Sequence, residues 1–236
     1  MKAIVGFDTA TADTAVCAMR GGELLHEELV GLAPGGAPSH STALLGEVER
    51  AVAAAGGWGE VSRIAVGIGP GSFVGIRIGI ATANGFAAST GLPVTGVGTL
   101  EALGRGLEER AAPGQPRLAV LDARRGEAFA ACWSAIGEQL WEPLVAAPEV
   151  LAERIAELPA PPLAGGSGAV RFRQELAGRG AIIPGDPDPV HRVSARHVCA
   201  LAEAAAGERG ERPQPIYLRP PDAQRWRERH DSQRGG

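Results

Sequence analysis

Two aspartates close matching apolar runs, residues 3–8 and 118–122, and each is followed by a short turn. A carboxylate and turn at the end of a buried strand can bring a metal ion or a phosphate to backbone N–H groups. Gripping phosphate asks for glycine, because a Cβ holds the anion away from the backbone. The first turn, Asp8-Thr9-Ala10-Thr11-Ala12-Asp13, has no glycine and ends on a second carboxylate that repels an anion. The second, Asp122-Ala123-Arg124-Arg125-Gly126-Glu127, has one glycine and two arginines. Those arginines could hold a phosphate or pair with Asp122 and Glu127. Further on, Leu163-Ala164-Gly165-Gly166-Ser167-Gly168-Ala169 is either a turn that packs on an adenine or a strand-to-helix turn that simply needs glycine. Asp8, Arg124, Gly165 and Gly166 are thus the candidate contacts of a vestigial nucleotide site.

Other catalytic equipment is sparse. Gly67-Ile68-Gly69-Pro70-Gly71-Ser72-Phe73-Val74-Gly75-Ile76-Arg77 invites comparison with a phosphate-binding loop, but no Gly-Lys-Ser/Thr ends it and Lys2 is the one lysine. It reads as a tight loop that starts a helix. His26, His40, His191, His197 and His230 are not spaced by three or four residues beside an acid, as a helix-borne metal site requires. His40 is expected to serve as a cap or surface group. No serine or cysteine sits in a nucleophile elbow. Cys17, Cys132 and Cys199 are odd in number and far apart, so they read as reduced, buried thiols.

The elements that must position these residues repeat. Strands are predicted over 3–8, 14–20 and 23–30, with Gly21-Gly22 as a turn. A helix capped by Ser39 or Ser41 follows to about residue 55, then a strand over 64–68, a helix over 74–89, a strand over 93–97 and a helix capped by Thr99. Residues 111–116 read as a linker. The pattern then begins again: Asp122 answers Asp8 at an offset of 114 residues, and Gly137-Glu138 answers Gly22-Glu23 at 115. A helix over 149–157 follows the second set of strands. Two β-β-β-α-β-α lobes imply an α/β, duplicated actin-like (ASKHA, ribonuclease H-like) fold, the architecture of actin, hexokinase and Hsp70. The expected division is an N-terminal lobe of residues 1–111, a C-terminal lobe of 112–220 and a disordered tail of 221–236.

Composition narrows the class. Of 236 residues, 44% are hydrophobic and 21% charged, which suits a soluble globular protein. The net charge of −4 argues against a chain that grips nucleic acid unaided. Asp8 arrives too early for a signal-peptide core, and the charge-free stretch 78–100 is broken by Pro93 and repeated glycines, so a cytoplasmic protein without a membrane span is expected. From Val74 to Ala88 the only polar side chains are Arg77, Thr82 and Asn84. A helix apolar on nearly every side needs cover on nearly every side. Gly75, Gly79, Ala83 and Ala87 recur every fourth residue, flanked by Ile76 and Ile80, as a smooth stripe for another helix. With Leu44 and Val48 of the preceding helix they form the candidate partner interface; the bland alternative is packing of the two helices on each other.

The loop and helix from Gly69 to Ala83 closely resemble the bacterial TsaB (YeaZ) family. Asp8-Thr9-Ala10, His40-Ser41, Gly98-Thr99-Leu100-Glu101-Ala102-Leu103, Asp122-Ala123-Arg124-Arg125-Gly126-Glu127 and Pro215-Ile216-Tyr217-Leu218-Arg219 add weaker matches. The resemblance implies a non-catalytic scaffold for N6-threonylcarbamoylation of adenosine 37 in tRNAs reading ANN codons. It pairs with a TsaD-type transferase through N-lobe helices and is joined by a TsaE-type ATPase. Contact with tRNA is then expected only through the partner, with no cofactor beyond a nucleotide at the complex interface; a homodimer on the same helices when the partner is absent is a further alternative. TsaD carries two metal-binding histidines four residues apart, whereas the matching stretch here, residues 99–104, has none. Ala10, Val74 and Ile76 depart from the usual Ser, Thr and Leu. The rival is an actin-like enzyme with its own ATP site.

Overall fold

Both aspartate-terminated runs are central strands in the computed structural model, which describes residues 1–33, 35–205 and 212–219. The first sheet comprises β1 (Ala3–Asp8), β2 (Thr14–Arg20), β3 (Glu23–Val30), β4 (Val61–Gly67) and β5 (Val94–Val97), in the order β3-β2-β1-β4-β5. The second comprises β6 (Arg117–Asp122), β7 (Ala128–Trp133), β8 (Gln139–Ala146) and β9 (Leu163–Gly165), in the order β8-β7-β6-β9. In each sheet the first strand runs antiparallel to the second and parallel to the fourth, so the second half repeats the first; among the described residues a single parallel bridge, Leu163 to Ile182, stands beside β9 where a fifth strand would pair. This is the actin-like α/β arrangement. β1 is buried along its whole length and β6 nearly so, because helices cover both faces of each sheet.

Three layers of apolar packing result. On the outer face of the first sheet lie α1 (His40–Ala54) and α2 (Phe73–Thr90), with Leu44, Val48 and Ala83 set against Val5, Phe7, Val16, Ile64 and Val66. The outer face of the second sheet is covered by α4 (Pro148–Ala156), α5 (Ser167–Arg171) and α6 (Arg173–Ala177), through Leu151, Ile155, Ala169 and Leu176. Between the sheets, α3 (Thr99–Glu108) and α7 (Ala195–Ala204) cross over. α3 comes from the first half but packs on β6 and β7; α7 comes from the second and packs on β1 and β2. Leu100, Leu103, Leu107, Val198 and Cys199 join both sheets in one cluster there.

Local chemistry sets the helix ends. The Ser72 hydroxyl accepts from the Gly75 N–H at 3.2 Å to start α2, and Gly91 at φ 73° ends it. Thr99 is expected to cap α3 but does not. It is the first helical residue, and its hydroxyl is committed to Asp8, 91 residues away. The Ser39 hydroxyl likewise donates to the Gly31 carbonyl at 3.0 Å instead of capping α1. The expected tail, residues 221–236, lies outside the described residues. Among the described residues no helix is long and apolar enough to cross a membrane.

Candidate functional site

The first turn is an internal brace. Asp8 is buried, and its carboxylate accepts from the Ala10 N–H at 2.7 Å and from the Thr99 hydroxyl at 2.7 Å. Thr99 in turn accepts from the Gly69 N–H at 3.1 Å. Burial pushes the Asp8 carboxyl above its ordinary value, against these bonds, which lower it. Gly67 is required beside it, since a Cβ there would collide with the Asp8 carboxylate. His40 is buried, not at the surface: its Nδ1 accepts from the Thr14 hydroxyl at 2.8 Å, leaving Nε2 to donate to the Thr11 carbonyl at 3.1 Å. Burial pulls its pKa down from 6.5.

The small-residue stripe of α2 faces this turn. A Cβ on Gly75 would collide with the Thr9 carbonyl, and one on Gly79 would lie 2.6 Å from Thr9 Oγ1. Thr9 Oγ1 donates to the Gly75 carbonyl at 2.7 Å. Ile76, Ala83, Leu44 and Val48 are enclosed by the chain's own core. The expected interface set is therefore corrected: Leu44, Val48, Gly75, Ile76, Gly79 and Ala83 are covered from within. Ile80 and Ala87 are half-buried, and Ile80 packs on the same core. The helix rides its own sheet on its smooth side because the 8–13 turn needs that space.

The outward side of α2 is different. Val74, Arg77, Ala81, Gly85 and Ala88 are exposed at helical spacing, Val74 by 64%. On α1 the exposed residues include Thr42, Leu45 at 56%, Glu49 and Ala53. A Cβ on Gly85 or on Gly46 would meet nothing within the chain. Each glycine costs about 1 kcal/mol against alanine in a helix, with no internal packing to require it. Sequence periodicity held this outward set as well as the inward one; only the position of the 8–13 turn distinguishes them.

The second turn points outward. Arg124 and Arg125 stand at φ 62° and 56° and are exposed, followed by Gly126 at 78°. Arg171 Nη1 holds both Asp122 oxygens, at 2.9 and 2.8 Å, while Arg124 Nη1 lies 3.5 Å from Asp122. Glu127 pairs with Arg219, which also donates to the Ala123 carbonyl at 3.0 Å. Arg219 belongs to a strap that joins the halves and includes residues 212–219. Ile216 N–H donates to the Ile68 carbonyl at 2.8 Å. The Tyr217 hydroxyl accepts from Arg77 Nε at 3.1 Å, and Arg77 sits 3.7 Å above the Phe73 ring. The Pro215–Arg219 match was the sequence signal for this strap, without its location.

The candidate nucleotide contacts are not gathered into one site. A Cβ on Gly165 would collide with the Val190 carbonyl, and one on Gly166 with the Val120 carbonyl, so both buried glycines are required by the chain's own backbone packing. Asp8 is enclosed. Of the four, Arg124 alone is exposed. A groove of about 700 Å³ runs between β3 and residues 187–196, and none of the four lines it. No cluster of three His, Cys, Asp or Glu side chains able to hold a metal occurs among the described residues.

Comparison with known proteins agrees with this architecture. The family model described as "TsaD: tRNA N6-adenosine threonylcarbamoyltransferase" matches residues 22–164, more than half of the chain. The tRNA threonylcarbamoyladenosine biosynthesis protein TsaB of Escherichia coli (strain K12) is 38% identical over 104 residues, 42% of this chain and 44% of that protein. TsaB of Haemophilus influenzae is 30% identical over 128 residues, 53% of this chain and 51% of its own length. The alignments thus span about half of these curated relatives. A Pseudomonas aeruginosa crystal structure, described as an uncharacterized protein with similarity to peptidase YEAZ, superposes with a TM-score of 0.75 at 26% identity, covering 93% of this chain and 100% of that one.

Proposed function

The chain belongs to the tRNA N6-adenosine threonylcarbamoyltransferase (TsaD) family and is a TsaB/YeaZ member of it; from that premise we propose that it is a non-catalytic subunit in tRNA threonylcarbamoyladenosine biosynthesis. It pairs with a TsaD-type paralogue, which carries out transfer to N6 of adenosine 37 in tRNAs reading ANN codons, and a TsaE-type ATPase joins the pair. The chain needs no cofactor of its own; a nucleotide, if used, sits at the interface of the complex.

One observation carries the pairing: the outward face of α2, with exposed Val74, Ala81, Gly85 and Ala88 beside Leu45 of α1. Small residues let a second backbone approach closely, and the glycine at 85 is then used by a partner helix instead of by the chain itself. Exposed apolar area of this kind gains by burial, about 25 cal/mol per Å². Calorimetric titration of the purified chain with its TsaD-type paralogue tests it. Ala81→Arg is expected to abolish pairing while leaving the urea midpoint unchanged. Unimpaired pairing in that variant would refute this face as the interface.

A further inference from the structure

β3 is an edge strand. It pairs with β2 on one side, and among the described residues no strand pairs with its other side. Such an edge presents a row of backbone N–H and C=O groups ready to take another strand. The groove of about 700 Å³ runs along it, lined by Leu24 and Leu29 of the strand and by Pro189 and Val193. Glu27 lies opposite Cys17, on the side of the inter-sheet core, while His26 and Glu28 lie opposite Ala18 and Val16, on the α1 side. Cations near this edge are already engaged. Arg192 pairs with Asp13 at 3.0 Å and Arg196 with Glu109 at 2.5 Å. Arg50, within electrostatic reach of Glu28, is held by Glu47. Glu27 accepts from the neutral Ser194 hydroxyl. With Glu23 at its start, the strand thus presents an acidic edge beside an apolar groove.

We propose that the occupant of this edge is the chain's own segment 227–234, beyond the described residues, added as an antiparallel strand. Its sequence, Arg227-Glu228-Arg229-His230-Asp231-Ser232-Gln233-Arg234, complements the charges of β3 when read in reverse. With Arg229 opposite Glu28, His230 falls opposite Glu27 and Asp231 opposite His26. Past the irregularity in β3 next to His26, Arg234 comes to the Glu23 end. Opposite charges facing each other across strands stabilise a pair, and like charges destabilise it. One register is singled out: a slip of one residue sets Glu228 on Glu28 in one direction and Asp231 on Glu27 in the other. Either slip also turns every side chain to the opposite face. In the favoured register Trp226 shares the groove side with Leu29, where Pro189 and Val193 give the indole an apolar bed. Reach and direction agree. Ile216 is fixed at Ile68, at the same sheet end as Val30, and β4 stands three strands from β3, roughly 14 Å at ordinary sheet spacing. Residues 220–227 span roughly 26 Å when extended, so the segment meets β3 at Val30 and runs against it. The proposal does not depend on pairing with a paralogue.

The test uses the full chain, with hydrogen exchange read at the amides of β3 and a fluorescein-labelled peptide of residues 222–236 as probe. Arg229→Glu, a change outside the packed core, is expected to speed exchange at β3 about tenfold. Glu28→Arg is expected to do the same, and the two together to recover most of the protection, as a swapped pair should. The labelled wild-type peptide is expected to bind the Arg229→Glu chain at least tenfold more tightly than the wild-type chain, whose own segment holds the edge at high effective concentration. Unchanged exchange in Arg229→Glu, or equal peptide binding to both chains, would overturn the proposal. A wild-type dimer that Arg229→Glu turns into a monomer in light scattering would assign the segment to a second copy and refute the intramolecular strand. Protection of β3 that appears only when the TsaD-type paralogue is added would give the edge to that partner and refute it equally.

Discussion

The turns after Asp8 and Asp122 occupy equivalent places in the two halves and have opposite fates. The first is folded inward, its carboxylate spent on Ala10 and Thr99 and its Thr9 pressed into the glycine side of α2. The second is turned outward, its carboxylate held by Arg171 and its tip exposed at Arg124 and Arg125. A duplicated hairpin can therefore become scaffold in one copy and surface in the other, with the identity of a few side chains deciding which. Glycine is the clearest marker: it is needed around the first turn, at 67, 75 and 79, so that other elements can close on it.

The sharpest way to break this contrast is Gly75→Ala. Its Cβ would collide with backbone at Thr9, so a loss of about 3 kcal/mol or more in urea unfolding is expected. A loss below about 1 kcal/mol would mean the first turn has slack. Asp8→Ala comes next, at about 2–3 kcal/mol, because it strands a buried N–H and a hydroxyl; Asp122→Ala, at a more exposed ion pair, is expected to lose about 1 kcal/mol. Equal losses would erase the distinction between the turns.

Acid offers a third, smaller probe. Burial holds His40 below 6.5, so the unfolded chain takes up the proton more readily. The stability that goes with neutral His40 is fully present above pH 6.5 and is lost as pH falls from there through its lower folded value. His197, also lowered by burial, acts in the same direction. His40→Gln is expected to flatten part of the decline in urea midpoint below pH 6.5 and leave the share due to His197. Asp8 has the opposite sign: raised by burial, it favours folding most below its ordinary value of 3.8 and loses that advantage as pH rises through its folded value. The smallest effect belongs to Arg124→Gly, expected to change stability by less than about 0.5 kcal/mol, since relief of the left-handed backbone offsets the added freedom of the unfolded chain.

Much of the fold was legible because apolar runs, turns and the 114-residue offset are local or repeat themselves. β2 and β3 fall on residues 14–20 and 23–30 as expected, since alternation and Gly21-Gly22 fix their ends. The site was less legible. Gly75, Gly79 and Ala83 announce a smooth helix face, but nothing near them in sequence tells whether Thr9 or another molecule lies on it. Thr99 has the side chain of a cap and was claimed by a carboxylate from the opposite end of the lobe. Gly165 and Gly166 look free for a ligand until Val190 and Val120 are seen against them. In each case the deciding neighbour is far along the chain.

The crossing of α3 and α7 has a consequence for synthesis. β1 and β2 are synthesised well before the helix that covers their inner face, residues 195–204. Until then Ile4, Cys17 and their neighbours stay open on that side. The earlier-made sheet is thus completed by a later-made helix, and the two halves must reach the native state together.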